Sequence, residues 1–103
     1  MTGNTQPTTA APGGTEVLTN KQFARLKQLT ENNDHGTSYL EASQALGLPH
    51  LEEEFERINR EHQRQGELSV GLEFRRRHAY TQLLAEAKRL LTPKHYDRLY
   101  MCF

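Results

Sequence analysis

Residues 38–66, SYLEASQALGLPHLEEEFERINREHQRQG, hold two helices and the turn that joins them. Ser38 and Glu41 have the spacing of a capping box, in which a hydroxyl and a carboxylate each satisfy a backbone N–H at a helix start. Leu40, Ala45 and Leu46 then supply an inward side. Gly47 provides a left-handed closing residue, Leu48 the apolar contact that follows such a closure, and Pro49 a stop. These signals predict a short helix over about 39–46. Pro49 also suits the first turn of the next helix, where its missing N–H has no partner to lose. Glu52, Glu53 and Glu54 fall in that first turn, where negative charge complements the helix dipole. Leu51, Phe55, Ile58 and His62 step by four, three and four, one stripe of an amphipathic helix that runs to Gly66.

Upstream, Thr19 and Gln22 form another capping box, and Leu18 and Phe23 occupy the two positions of a hydrophobic staple across it. Phe23, Leu26 and Leu29 recur at helical spacing, which predicts a helix over about 20–32. Residues 1–17, MTGNTQPTTAAPGGTEV, contain five Thr, three Gly, two Pro and a single charge, Glu16. Such a stretch buries too little apolar surface to offset an ordering cost of about 1–2 kcal/mol per residue, so a disordered N-terminal arm is expected.

Downstream, Leu68, Val70, Leu72 and Phe74 alternate with polar or small residues, which is a strand period. Gly71 weakens a strand interior, and no second run offers it a partner. Residues 67–70 are therefore read as an extended connector, and a fourth helix begins near Gly71. Tyr80, Leu83, Leu84, Ala87 and Leu91 give it an apolar stripe to about residue 91. Thr92 and Pro93 form a cap and first-position proline, predicting a fifth helix over about 93–101 with Tyr96, Leu99, Tyr100 and Phe103 on its apolar side. The fold class expected is all-α, a single small domain of four or five helices over residues 18–103 behind the arm.

With 103 residues, the chain has room for one domain. It has no apolar run long enough to cross a bilayer, and residues 1–17 carry no secretory pattern. One cysteine, Cys102, cannot form an internal disulfide and fits a reducing, cytoplasmic setting. The net charge is zero, with 13 basic and 13 acidic side chains, but the layout is uneven. Residues 1–56 hold eight acidic and three basic side chains, and residues 57–103 hold five acidic and ten basic. Glu52, Glu53, Glu54 and Glu56 form an acidic knot, and Arg75, Arg76, Arg77 and His78 a basic one. The two knots suit solvated helix faces, docking on a partner of opposite sign, or meeting across a symmetric dimer.

The order of helix, turn and helix over 38–66, with Ala42 and Gly47 five residues apart, a helix in front and Glu67–Val70 behind, resembles a winged helix-turn-helix of the MarR type over residues 19–70. The resemblance implies a dimer made by the flanking helices, with the helix after Pro49 entering the DNA major groove. Arg57, Arg60 and Arg64 would then reach the phosphate backbone. Against that stand the glutamates at the start of the same helix, whose charge opposes a polyanion. A calcium hand fits less well. A bidentate Glu is required six residues after the loop Gly, and Ala42 and Leu72 occupy those positions after Gly36 and Gly66.

His35, His50, His62, His78 and His95 include no pair three to five residues apart, and no Cys-x-x-Cys is present. No Gly-x-Ser-x-Gly, phosphate loop or dinucleotide glycine pattern occurs, so neither enzyme, small-molecule substrate, cofactor nor metal is expected. The expected function is that of a regulatory or adaptor protein that binds another protein, or a second copy of itself, through exposed helices. Arg75, Arg76 and Arg77 are the expected charged contacts, because the planar guanidinium fork suits carboxylates and phosphates. Tyr96, Tyr100 and Phe103 are the expected aromatic anchors. DNA binding through Arg57, Arg60 and Arg64 is the alternative.

Overall fold

A computed structural model describes residues 17–32 and 35–103. Residues 1–16 of the expected arm, and residues 33–34, lie outside the described residues. Five α-helices follow one another: α1 Asn20–Glu31, α2 His35–Leu46, α3 Pro49–Gln65, α4 Val70–Leu90 and α5 Pro93–Cys102. No β-strand occurs among the described residues, so the domain is all-α. Each helix packs on its neighbour in the chain, α5 returns to α1, and α2 also touches α4.

Most helix ends follow from local chemistry. The Thr19–Gln22 capping box forms reciprocally, with Thr19 N–H donating to Gln22 Oε1 at 2.8 Å and Gln22 N–H to Thr19 Oγ1 at 3.1 Å. Leu18 and Phe23 are both buried across that cap, completing the staple. Val17, placed in the arm by its composition, packs against the core instead. Gly47 has φ +71° and ends α2 in a Schellman motif, with Leu48 N–H donating to Ser43 O at 2.9 Å and Gly47 N–H to Gln44 O at 3.2 Å. Gly66 closes α3 at φ +78°. Ser69 and Thr92 cap α4 and α5 through their hydroxyls.

Two expectations change. α2 begins at His35, about one turn before the expected start, so Ser38 lies inside the helix and is fully buried, and its capping box with Glu41 does not form. Glu41 instead faces Arg25 of α1 at 3.4 Å. The earlier start brings Gly36 against the Asn59 side chain of α3, an approach that only a residue without a Cβ makes unhindered. The second change is at 67–70. Helix α4 starts at Val70, the extended connector is shorter than expected, and it pairs with no strand, so the wing of the winged helix-turn-helix is not formed among the described residues. The backbone of α1 lies close to α2 and α5 and not to α3 among the described residues.

The core lies where α2, α3 and α4 meet and continues under α5. Ala42, Phe55, Leu83, Ala87 and Leu99 are completely buried, and Ile58, Ala79 and Leu91 nearly so. α2 contributes small buried residues, Ser38, Ala42 and Ser43, and the Ser43 hydroxyl is satisfied by donating to Leu40 O at 2.7 Å. α5 closes the domain on α1. The Cys102 thiol donates to Phe23 O at 3.6 Å and to Arg98 O at 3.4 Å, and Arg98 donates to Asn20 Oδ1 at 2.6 Å. The Arg98 guanidinium also sits 4.6 Å from the Phe23 ring centre, with His95 stacked on the same ring.

Phe55→Ala empties the centre of this core and should lower the unfolding free energy by about 3–5 kcal/mol. Urea denaturation followed by far-ultraviolet circular dichroism measures it; a loss under about 1 kcal/mol would mean that Phe55 is not in a tightly packed site.

Candidate partner-binding surface

Successive residues on an α-helix point about 100° apart, so Arg75, Arg76 and Arg77 cannot share one direction. Arg75 turns toward α3 and grips Glu54 with both ends of its fork, Nε to Oε2 at 3.2 Å and Nη2 to Oε1 at 3.0 Å. Arg57 reaches the same carboxylate at 3.0 Å. The acidic and basic knots thus meet inside one chain, across the α3–α4 hairpin. Hydrogen bonding from Arg75 is the chief reason that the Glu54 carboxyl is held below the ordinary carboxylate range.

Arg76 is half-buried and lines a groove with Glu73, Arg77 and Tyr80 of α4 and Tyr39 of α2. Its volume is about 230 Å³. Among the described residues, neither Arg76 nor Arg77 makes an ion pair. Behind the groove is an aromatic corner. The Tyr39 and Tyr80 rings stack with centres 4.9 Å apart, Tyr39 tilts against Phe55 at 5.6 Å, and Phe103 meets Tyr39 and Tyr80 edge-on at 4.9 and 5.7 Å. Burial pushes the Tyr80 phenol up to about 12, and it raises Tyr39 as well, with Arg76 acting in the opposite direction.

The expected anchors therefore separate by role. Phe103 and Tyr96 are half-buried against the core, and Tyr96 lies 6.3 Å from Tyr100 by ring centres. Tyr100 is open to solvent. The residues missing from the expected set are Tyr39, Tyr80, Val70, Phe74 and Met101. Val70 and Phe74 are 87% and 73% exposed, and Met101 is 80% exposed, too much for apolar side chains to be part of the core. Val70, Phe74, Arg77 and Thr81 follow at steps of four, three and four, one outward stripe of α4 with His78 beside it, all of them exposed. That spacing was available in the sequence, but the two-residue alternation over 68–74 competed with it.

The alternative DNA contacts lie on one side of α3. Arg57 is engaged by Glu54, Arg64 by Glu61 at 2.6 Å, and Arg60 is exposed without an ion pair among the described residues. Exposed Glu53 and Glu56 precede them on the same helix. Among the described residues no three His, Cys, Asp or Glu side chains converge as a metal site would need. A second, more apolar hollow of about 410 Å³ lies between the α2–α3 corner and α4, lined by Leu48, Pro49, His50, Leu51, Gln82, Ala85 and Glu86.

A carboxyl with a depressed pKa stabilises the fold above its unfolded pKa, and the contribution disappears as pH falls through the folded value. Glu54→Gln should therefore cost about 0.5–1 kcal/mol near pH 7, as a partly exposed ion pair does, and the difference from the parent chain should vanish in acid below the ordinary Glu range. Urea midpoints of both proteins across pH test this; a difference that persists unchanged in acid would refute it. Compared with known proteins, the chain matches no family model, no curated protein and no solved structure.

Proposed function

We propose that this protein is a small interaction module, a regulatory or adaptor protein that docks another protein on the outward face of α4. The observation that carries the reading is the exposed pair Val70 and Phe74, one helical turn apart, continued by Arg77, which makes no ion pair among the described residues. Two large apolar side chains held out in water offer the hydrophobic gain that drives association, and adjacent positive charge selects the partner's sign. The partner this stripe fits is an amphipathic helix with apolar anchors and flanking carboxylates. Exposed Tyr100 and Met101 at the end of α5 are a further apolar patch, and Tyr96 and Phe103 are half-buried against the core. The internal Arg75–Glu54 pair supports the same division, since it leaves Arg76 and Arg77 as the charges open to a partner.

No catalytic role is proposed, and the setting that suits the lone thiol is a reducing one. Duplex DNA reading through α3 is the less favoured alternative. Two of its three arginines already hold glutamates, and the start of the helix presents carboxylates to a polyanion.

The test is site-specific photo-crosslinking from position 74 in cells, with identification of the crosslinked segment. A discrete protein whose contact segment carries acidic residues is expected, and Val70→Ser with retained helicity should reduce the crosslink at least about tenfold, the effect of losing one buried anchor. Crosslinks that are diffuse and unchanged by Val70→Ser, or retention of duplex DNA by the purified protein that weakens steeply with salt, would overturn the proposal.

A further inference from the structure

The groove beside that stripe has a chemistry of its own. Among the described residues, Arg76 and Arg77 line it without a carboxylate partner, and the Tyr80 hydroxyl makes no hydrogen bond. Two arginines and a tyrosine, all able to donate hydrogen bonds, line a single opening about 230 Å³ in volume, room for one tetrahedral oxyanion and the atom that carries it. A carboxylate brings two oxygens and a single negative charge. A phosphoryl monoester has three terminal oxygens and close to two negative charges at neutral pH, so it can engage both forks at once. We infer that the groove between α2 and α4, formed by Arg76, Arg77, Tyr80 and Tyr39, receives a phosphoryl monoester, carried by a phosphorylated side chain of the docked protein.

The surrounding residues support that assignment. Burial holds the phenol of Tyr80 up at about 12, so it is a donor at neutral pH, where the phosphoryl group is close to dianionic. Its ring is fixed by Tyr39 and Phe103, which keeps the hydroxyl from moving with the ligand. Arg76 is half-buried, which weakens solvent screening on that side. Among the described residues, Glu73 is the opposing charge on the groove wall. Its charge lowers affinity for an anion, and it provides a variant whose effect has the opposite sign to the arginine variants.

This inference rests on the protein-docking reading for the source of the phosphoryl group, but the groove can be tested without the partner. The probes are pentapeptides containing phosphoserine or phosphotyrosine, the same peptides with Glu in place of the phosphorylated residue, and inorganic phosphate, each titrated into the full chain and followed by amide chemical shifts. Saturable binding of at least one phosphopeptide is expected, with shifts centred on residues 73–80 and 39, at least about tenfold tighter than its Glu counterpart. Arg76→Gln and Arg77→Gln should each weaken it by about tenfold or more, as loss of a charge-assisted hydrogen bond does, and Glu73→Gln should tighten it. Amide spectra of the free variants report whether the fold is kept. Equal binding of the Glu peptide, arginine variants that bind as the parent does, or no saturation by either phosphopeptide would overturn the phosphoryl site. Inorganic phosphate binding as tightly as the phosphopeptides would overturn the partner side chain as its source. Should the photo-crosslink at position 74 fail while phosphopeptides still bind, the docking stripe is refuted and the groove stands.

Discussion

The close approach of α2 to its neighbours is the constraint on which the rest depends. A helix lies against three others only where its side chains are small enough to let backbones draw near, and α2 supplies Gly36, Ser38, Ala42 and Ser43 for that purpose. Larger residues fill the spaces around it, with Phe55 and Ile58 from α3 and Leu83 and Ala87 from α4. Dense packing of this kind rejects extra volume as firmly as it rejects voids. Because α2 sits in the middle, Tyr39 is carried to the side of α4 and stacks on Tyr80, and that contact makes the wall of the groove.

The same geometry assigns the charges. α3 and α4 form an antiparallel hairpin through Gly66 and Ser69, which brings Glu54 opposite Arg75. One arginine of the three is then paired within the chain, and half-buried Arg76 and exposed Arg77 line the groove. A zero net charge thus conceals a locally satisfied hairpin and a locally unsatisfied basic edge. Recognition then belongs to α4 and the corner that α2 and α5 build behind it, and of the glutamates expected in the first turn of α3 only Glu52 lies there, while Glu54, one turn on, is occupied with holding the hairpin.

Much of the architecture was legible because helix ends have strong local chemistry. Thr19 with Gln22, Gly47 before Leu48 and Pro49, and Thr92 before Pro93 each specify a boundary within a few residues, with no knowledge of what lies across the core. Ser38 was ambiguous for a physical reason: a serine three residues before a glutamate can cap a helix or can be a small residue at a tight helix contact. Which role it takes depends on Gly36 and Asn59, residues from two different helices. The alternation from Leu68 to Phe74 was ambiguous in a similar way, since Val70 and Phe74 fit both a two-residue and a four-residue period. Only the position of α3 decides that Leu72 is buried while Val70 and Phe74 are not. The candidate site was half legible. The arginine run stood out by composition, but its division among three directions, and the partnership of Arg76 with Tyr39 and Tyr80, arise from tertiary placement.

The most direct measurement is the unfolding free energy of Ala42→Leu beside that of Ala42→Ser. Ala42 is completely buried on the helix that contacts α1, α3 and α4, so leucine, though more hydrophobic, should destabilise the domain by about 1–3 kcal/mol. Serine, close to alanine in volume, should cost less than leucine. An Ala42→Leu protein as stable as the parent or more so would contradict the account, because α2 would then not be the tightly enclosed helix around which the groove and the hairpin are arranged.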